Sequence, residues 1–246
     1  MHLQCAQTGI FGVNTWIIPV CKNAVIIVDP DCSEVTGDGK AFITWLKKNK
    51  AVPAGIFLTH GHFDHIAGLS ILKEAFPFAK IAIHKEDSDM IGPNALENQG
   101  YVLEGMGLDT FKSALENLPG ADVFLEDSKD LSTVFNADEL FEDETFAKSF
   151  KGRPDELKKA FSEWSVIWTP GHTKGSSCLY SQREKKLISG DTVFYMSYGR
   201  TDLPGGSESE MQRSLKLLHK MLPGDTEVYP GHDRSGFLLR ENSIAY

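Results

Sequence analysis

At 246 residues the chain suffices for one large domain or two small ones, and for a core that needs no disulfide support. Hydrophobic residues make up 41% and charged residues 24%, as in ordinary globular proteins, and a formal net charge of −9 argues against nucleic acid as a partner. No stretch reaches the ~20 apolar residues of a membrane span, and the start, Met1-His2-Leu3, lacks the basic-then-apolar order of a secretory signal. Cys5, Cys21, Cys32 and Cys178 are too scattered for a zinc clamp or a redox dithiol. A cytoplasmic protein with reduced thiols and a small-molecule substrate is expected, with no membrane partner; oligomeric state cannot be read.

Residues 13–20 and 24–28 are apolar, β-branched-rich runs that predict a hairpin, ended by Asp29-Pro30-Asp31 because proline cannot continue a ladder. Residues 40–48 place Phe42, Ile43, Trp45 and Leu46 on one helical face. A strand over 54–59 then runs straight into a cluster of histidines. A helix is predicted over 66–76, stopped by Pro77, and a strand over 80–83. Strand, ligand loop, helix and strand make an α/β unit, in which sites lie at the carboxyl ends of strands.

From 86 to about 118 the pattern is helical with loops, with Asp109 as an N-cap before a stripe of Phe111, Ala114, Leu115 and Leu118. Residues 136–162 begin acidic and then pair Phe146 with Phe150 and Leu157 with Phe161, which predicts two short helices parted by Gly152-Arg153-Pro154. This segment reads as an insertion outside the sheet, either a lid over the site or a piece packed on the surface or another subunit. Strands follow over 164–168, 176–180 and 186–189, then a helix over 208–221 and a last strand over 227–229. No internal repeat or linker interrupts the chain, so a single domain over 1–246 is expected.

The chemistry concentrates in Thr59-His60-Gly61-His62-Phe63-Asp64-His65. Imidazoles suit zinc, iron and similar ions, and a carboxylate adds a hard oxygen donor. Three later places repeat one form, a strand, a glycine turn and a ligand-type residue: Gly171-His172, Gly190-Asp191 and Gly231-His232. Each alone is ordinary turn chemistry. Together with the cluster they hold five of the eight histidines, leaving His2, His84 and His219 as structural or surface residues. Seven donors exceed one tetrahedral ion and suit two. Side chains two apart along extended backbone share a side, so His60 and His62 are expected to hold one ion, completed by His172. Asp64 and His65 would hold a second, completed by His232, with Asp191 bridging.

His-x-His-x-Asp-His followed by Gly-His, Gly-Asp and Gly-His, each after a strand, resembles the metallo-β-lactamase superfamily over nearly the whole chain. The resemblance implies an α/β fold, the αββα four-layer sandwich, with the metal site at the sheet edge. It implies two divalent ions, zinc first, with iron or manganese also suited to the donors. Asp191 stands where the best-known zinc β-lactamases carry cysteine, so antibiotic cleavage is not implied.

Tyr198-Gly199-Arg200-Thr201-Asp202 with Pro204-Gly205-Gly206 is similar to an element of short bacterial glyoxalase II-like hydrolases. It implies that Arg200 binds the thiol-carrier part of an S-acylglutathione-like thioester. The stretch after His232 is too short for the glutathione-binding helical domain of glyoxalase II, so that domain is expected to be missing. The expected reaction is thioester hydrolysis by metal-bound hydroxide, with Asp64 and Asp191 in catalytic roles. The alternatives are a persulfide dioxygenase with one iron on His60, His172 and Asp191, or a lactonase or phosphodiesterase. A nuclease is disfavoured by the acidic balance, and a non-catalytic binding protein by the complete donor set.

Overall fold

A computed structural model describes residues 2–242. Its first sheet has six strands in sequence order: β1 (Gln4–Thr8), β2 (Val13–Cys21), β3 (Ala24–Val28), β4 (Val52–Phe57), β5 (Ile81–His84) and β6 (Val123–Leu125). β1 to β3 pair antiparallel as a meander, whereas β3 to β6 run parallel, each reached by a helical crossover. The second sheet contains β7 (Ser165–Trp168), β8 (Ser177–Ser181), β9 (Lys186–Gly190), β12 (Glu227–Pro230) and β13 (Phe237–Leu238), in the order β13-β12-β9-β8-β7. A two-stranded ribbon of β10 (Val193–Phe194) and β11 (Ser197–Tyr198) stands apart.

The sheets face each other across a core in which Trp16, Ile18, Ile26 and Val28 meet Val166, Leu179 and Ile188. The outer face of the first sheet packs Ile27, Ile56 and Ile81 on Phe42 and Leu46 of the helix Gly39–Lys48 and Leu69 and Leu72 of the helix Leu69–Ala75. The outer face of the second packs Ile167, Leu187 and Val228 on Met211, Leu215 and Leu218 of the helix Glu208–Met221. The result is the four-layer order helix, sheet, sheet, helix. β3, β4, β9 and β12 point their carboxyl ends to one edge, which collects the loops after Val28, Phe57, Gly190 and Pro230.

The predicted hairpin, the helix over 208–221 and the later strands appear within a residue or two. The predicted helix over 66–76 does not form as one piece. It is split into Phe63–Ile66 and Leu69–Ala75, because Gly68 lies against the carbonyls of Pro30 and Cys32 and donates its N–H to Pro30 O at 2.8 Å. The stripe over 111–118 yields only a 3₁₀ turn, Asp109–Phe111, and one helical turn, Lys112–Leu115, and Asp109 is not its cap. Asn117 enters the left-handed region (φ 56°), and Leu118 precedes Pro119, a position that disfavours helix.

The 136–162 insertion forms three helices rather than two: Ala137–Glu142, Glu144–Ser149 and Pro154–Phe161. Asn136 and Asp143 cap the first two through their side-chain oxygens. Leu140, Phe146, Phe150, Leu157 and Phe161 are buried and join the core between the sheets, together with Trp16, Val52 and Ala54. The insertion is therefore a plug of that core, not a lid.

Candidate metal centre

The carboxyl end of β4 runs through Leu58 and Thr59 into His60, and the helical turn Phe63–Ile66 then presents Asp64 and His65. His60, His62 and His65 are buried. His172 arrives on the turn after β7, Asp191 directly after β9 and His232 one intervening residue after β12. Glycine is required at two of these entries. A Cβ on Gly231 would strike Asp191 and His65, and Gly190 (φ 48°) lies against Thr59.

The structure brings all seven predicted donors together. One ligand atom from each of His60, His62 and His172 lies within 4.8 Å of the others, and the same holds for Asp64, His65 and His232. His65 Nε2 and His232 Nε2 stand 3.2 Å apart. Asp191 faces both groups: Oδ1 is 3.6 Å from His65 Nε2, and Oδ2 is 3.5 Å from His172 Nε2 and 3.6 Å from His232 Nε2.

The far side of three of the five rings is already engaged. His60 Nδ1 meets Thr59 Oγ1 at 3.0 Å, His65 Nδ1 meets Asp29 Oδ2 at 3.0 Å, and His172 Nδ1 meets the Arg200 carbonyl at 2.7 Å. Those partners engage Nδ1 and turn Nε2 of the three rings inward, the orientation of metal-ligating histidines. His60 Nε2, His172 Nε2 and Asp191 Oδ1 are buried without a hydrogen-bond partner among the described residues. An unsatisfied buried polar group costs roughly 1–3 kcal/mol. Three converging on one cage are explained if a cation completes them, and the His/Asp set suits divalent metals.

The electrostatics agree. Burial, reinforced by the other histidines, holds His60 and His62 well below the usual histidine range, so both are neutral donors. Burial alone would also lower His65, yet Asp191, Asp29 and Asp64 outweigh it and raise this ring to about 10. Burial would raise Asp64, but His65, His232 and His62 hold it below the usual carboxylate range. Asp29, Asp64 and Asp191 thus gather negative charge that protonated His65 answers when no ion is bound, and a divalent cation would take over that part by displacing the proton.

Sequence reasoning missed the supports of the cage. Asp29, read only as a strand terminator, accepts from Thr59 N–H (2.8 Å) and Thr59 Oγ1 (2.6 Å) besides holding His65. It adopts φ 50°, a left-handed conformation that aspartate tolerates better than most residues. Asp87, buried and unremarked, accepts from Gly61 N–H (3.1 Å), Thr173 Oγ1 (2.6 Å) and Gly175 N–H (2.7 Å), tying the first ligand loop to the turn that bears His172. Asn14 and Trp16 of β2 both donate to the Pro230 carbonyl (3.1 and 3.0 Å), fixing the turn before His232. No local motif announces these contacts, which join residues up to 216 positions apart.

Arg200 lines the cavity above the cage, but its Nε and Nη2 are bound to Asp202 at 2.7 and 2.8 Å, leaving Nη1 for a ligand. His84, outside the cage, stacks on Trp168.

Residues 8–232 match the family model described as the Metallo-beta-lactamase superfamily. Among curated relatives, an uncharacterized protein of Aquifex aeolicus is 28% identical over 94% of this chain and 90% of its own length. The probable metallo-hydrolase YqgX of Bacillus subtilis is 26% identical over 91% and 90%. A hydroxyacylglutathione hydrolase of Francisella tularensis subsp. novicida is 26% identical over 86% of this chain but only 60% of its own length. Among solved structures, BLEG-1 B3 metallo-beta-lactamase superposes with a TM-score of 0.74 at 26% identity, covering 98% of this chain and 95% of the other. A di-iron-bound form of TTHA1623 gives 0.69 at 22%, covering 98% and 96%. The mixed α/β architecture is that of these neighbours.

Proposed function

Because the chain belongs to the metallo-beta-lactamase superfamily, we propose that it is a metal-dependent hydrolase acting on thioesters of the S-acylglutathione kind. The observation that carries the reading is Asp191, one carboxylate set 3.5–3.6 Å from His172 on one side and from His65 and His232 on the other. That placement suits a pair of ions sharing a bridging ligand. His60, His62 and His172 would hold one, and Asp64, His65 and His232 the other. When bound, divalent ions supply a water whose pKa falls to ~7 and a charge that polarises the acyl carbonyl. Zinc fits the donors, and the di-iron form of TTHA1623 makes iron an equal candidate.

The chain's own groups then have defined tasks. Asp64 accepts a hydrogen bond from the attacking water and aims it. The Nδ1 partners of His60, His65 and His172 keep those rings from turning. Arg200 offers its free Nη1 to a carboxylate of the carrier. In the overall balance the water oxygen bonds to the acyl carbon, the carbon–sulfur bond breaks, and thiol, carboxylate and one proton result. No side-chain nucleophile is needed: none of the four cysteines lines the cavity, and burial pushes Cys178 up to about 11. The Francisella relative supports the thioester, and the Bacillus relative supports hydrolysis in general.

The test is thiol release from S-D-lactoylglutathione and other S-acylglutathiones by protein loaded with zinc or with iron. Oxygen uptake with glutathione persulfide and opening of a chromogenic cephalosporin are measured beside it. Thiol release above the metal-only rate is expected. Activity confined to either of the other two substrates would overturn the proposal.

A further inference from the structure

The donor cage forms the floor of a cavity of about 660 Å³, and the character of its walls is not what a small polar acyl group would need. One wall comes from the segment that follows β5. Its anchor is Gln99, a buried side chain whose Nε2 donates to the carbonyls of Gly61 (2.9 Å) and Met90 (2.8 Å). Gly61 lies between His60 and His62, and a Cβ there would run into the Met90 side chain. Met90 therefore packs on the ligand loop itself, next to the point where an acyl group would sit. Tyr101 and Met106 extend the same wall outward and are 55% and 48% exposed. Across the cavity Phe11, 42% exposed, packs edge-to-face on Phe63 with ring centroids 5.8 Å apart.

Large apolar side chains left in water around one cavity mark a surface that a ligand covers. Methionine suits such a wall because its flexible thioether adapts to varied shapes. The charged groups of the cavity do not compete with this reading. Outside the cage they carry both signs, Lys174 and Arg200 with Glu86 and Asp233, and most of the Arg200 fork is taken by Asp202.

We propose that Met90, Tyr101, Met106 and Phe11 form a binding site for an apolar acyl group, an aliphatic chain of several carbons or a phenyl ring. This group is carried on the far side of the hydrolysed bond from the part that meets Arg200. A lactoyl group is too small and too polar to cover this surface. The inference rests on the hydrolase reading of the same site and names the half of the substrate that the reading leaves open.

The test separates the two. Acid products are titrated calorimetrically into the zinc-loaded full chain: acetate, butanoate, hexanoate, phenylacetate and lactate. Affinity is expected to rise roughly threefold to fourfold per buried methylene and to be lowest for acetate and lactate. Met106→Asp and Tyr101→Asp, both at half-exposed positions that leave the core intact, should flatten the rise without changing the melting temperature or the metal content. In parallel, kcat/KM for the matching S-acylglutathiones should climb with chain length. Equal affinities, or lactate the tightest, overturn the apolar site even if thioesters are hydrolysed. A chain-length dependence in binding with no thioester hydrolysed establishes the wall and overturns the thioesterase.

Discussion

Asp191 and Asp87 act on the same cage from different distances, and their replacements separate the two roles. Asp191 lies within 3.6 Å of three imidazole nitrogens, so Asp191→Asn keeps the shape and removes the charge shared by the two ion positions. Mass spectrometry of the purified variant should find less than two metal ions per chain. Thiol release should fall by more than roughly a hundredfold, since even changes behind the ligands commonly cost 10–100-fold. Wild-type metal content and turnover would refute the bridging role. Asp87 touches no donor atom; it clamps the loop of His60 and His62 to the turn of His172 through three hydrogen bonds. Asn at this position has one acceptor oxygen for three donors. Asp87→Asn should cost about 1–3 kcal/mol of stability in urea and weaken metal binding by roughly 10–100-fold in chelator competition. A stability loss with unchanged metal affinity would make Asp87 a structural residue only.

At the scale of elements, the insertion fills the core between the sheets, and the segment after β5 supplies a wall of the cavity. The amphipathic pairs at 146/150 and 157/161 are compatible with a lid or a docking surface. What decides the matter is that Phe146 and Phe161 are fully buried between the sheets. Phe161→Ala should therefore lower stability by about 3–5 kcal/mol, read from denaturant midpoints, and leave metal affinity as it was. If the variant kept its stability but altered KM, the helices would be a lid after all. The segment over 85–106 carries no stripe strong enough to single it out. It earns its place at the cavity through Gln99 and Met90, whose partner is a backbone carbonyl or a glycine rather than another patterned side chain.

For the whole molecule, the cage couples metal to stability. The loops after β3, β4, β7, β9 and β12 converge on buried carboxylates and imidazoles that a divalent cation would tie together. A ligand that binds only the folded state stabilises it by about 4 kcal/mol at a thousand times its dissociation constant. Stripping the metals with a chelator should lower the melting temperature by roughly 8–16 °C for a chain of this size, and zinc or iron should restore it. An unchanged melting temperature after verified removal would show that the loops hold the cage without help. Among the described residues no helix is long and apolar enough to cross a membrane.

The sequence by itself singled out the candidate donors. His60, His62, Asp64 and His65 are neighbours in the chain, and His172, Asp191 and His232 each follow a strand and a glycine, so residue type and local geometry suffice to single them out. It also determined the strands with continuous apolar runs, such as β3 and β4, because burial on both faces leaves a pattern. Edge strands such as β1, with the polar sequence Gln-Cys-Ala-Gln-Thr, leave no such pattern and exist because β2 offers them a ladder. Only the tertiary structure decided that Asp29 and Asp87 support the cage, that the insertion fills a core, and that methionine and aromatic side chains wall the cavity. These roles depend on contacts between distant residues of ordinary type, and a contact of that kind has no periodicity or spacing by which the chain could announce it.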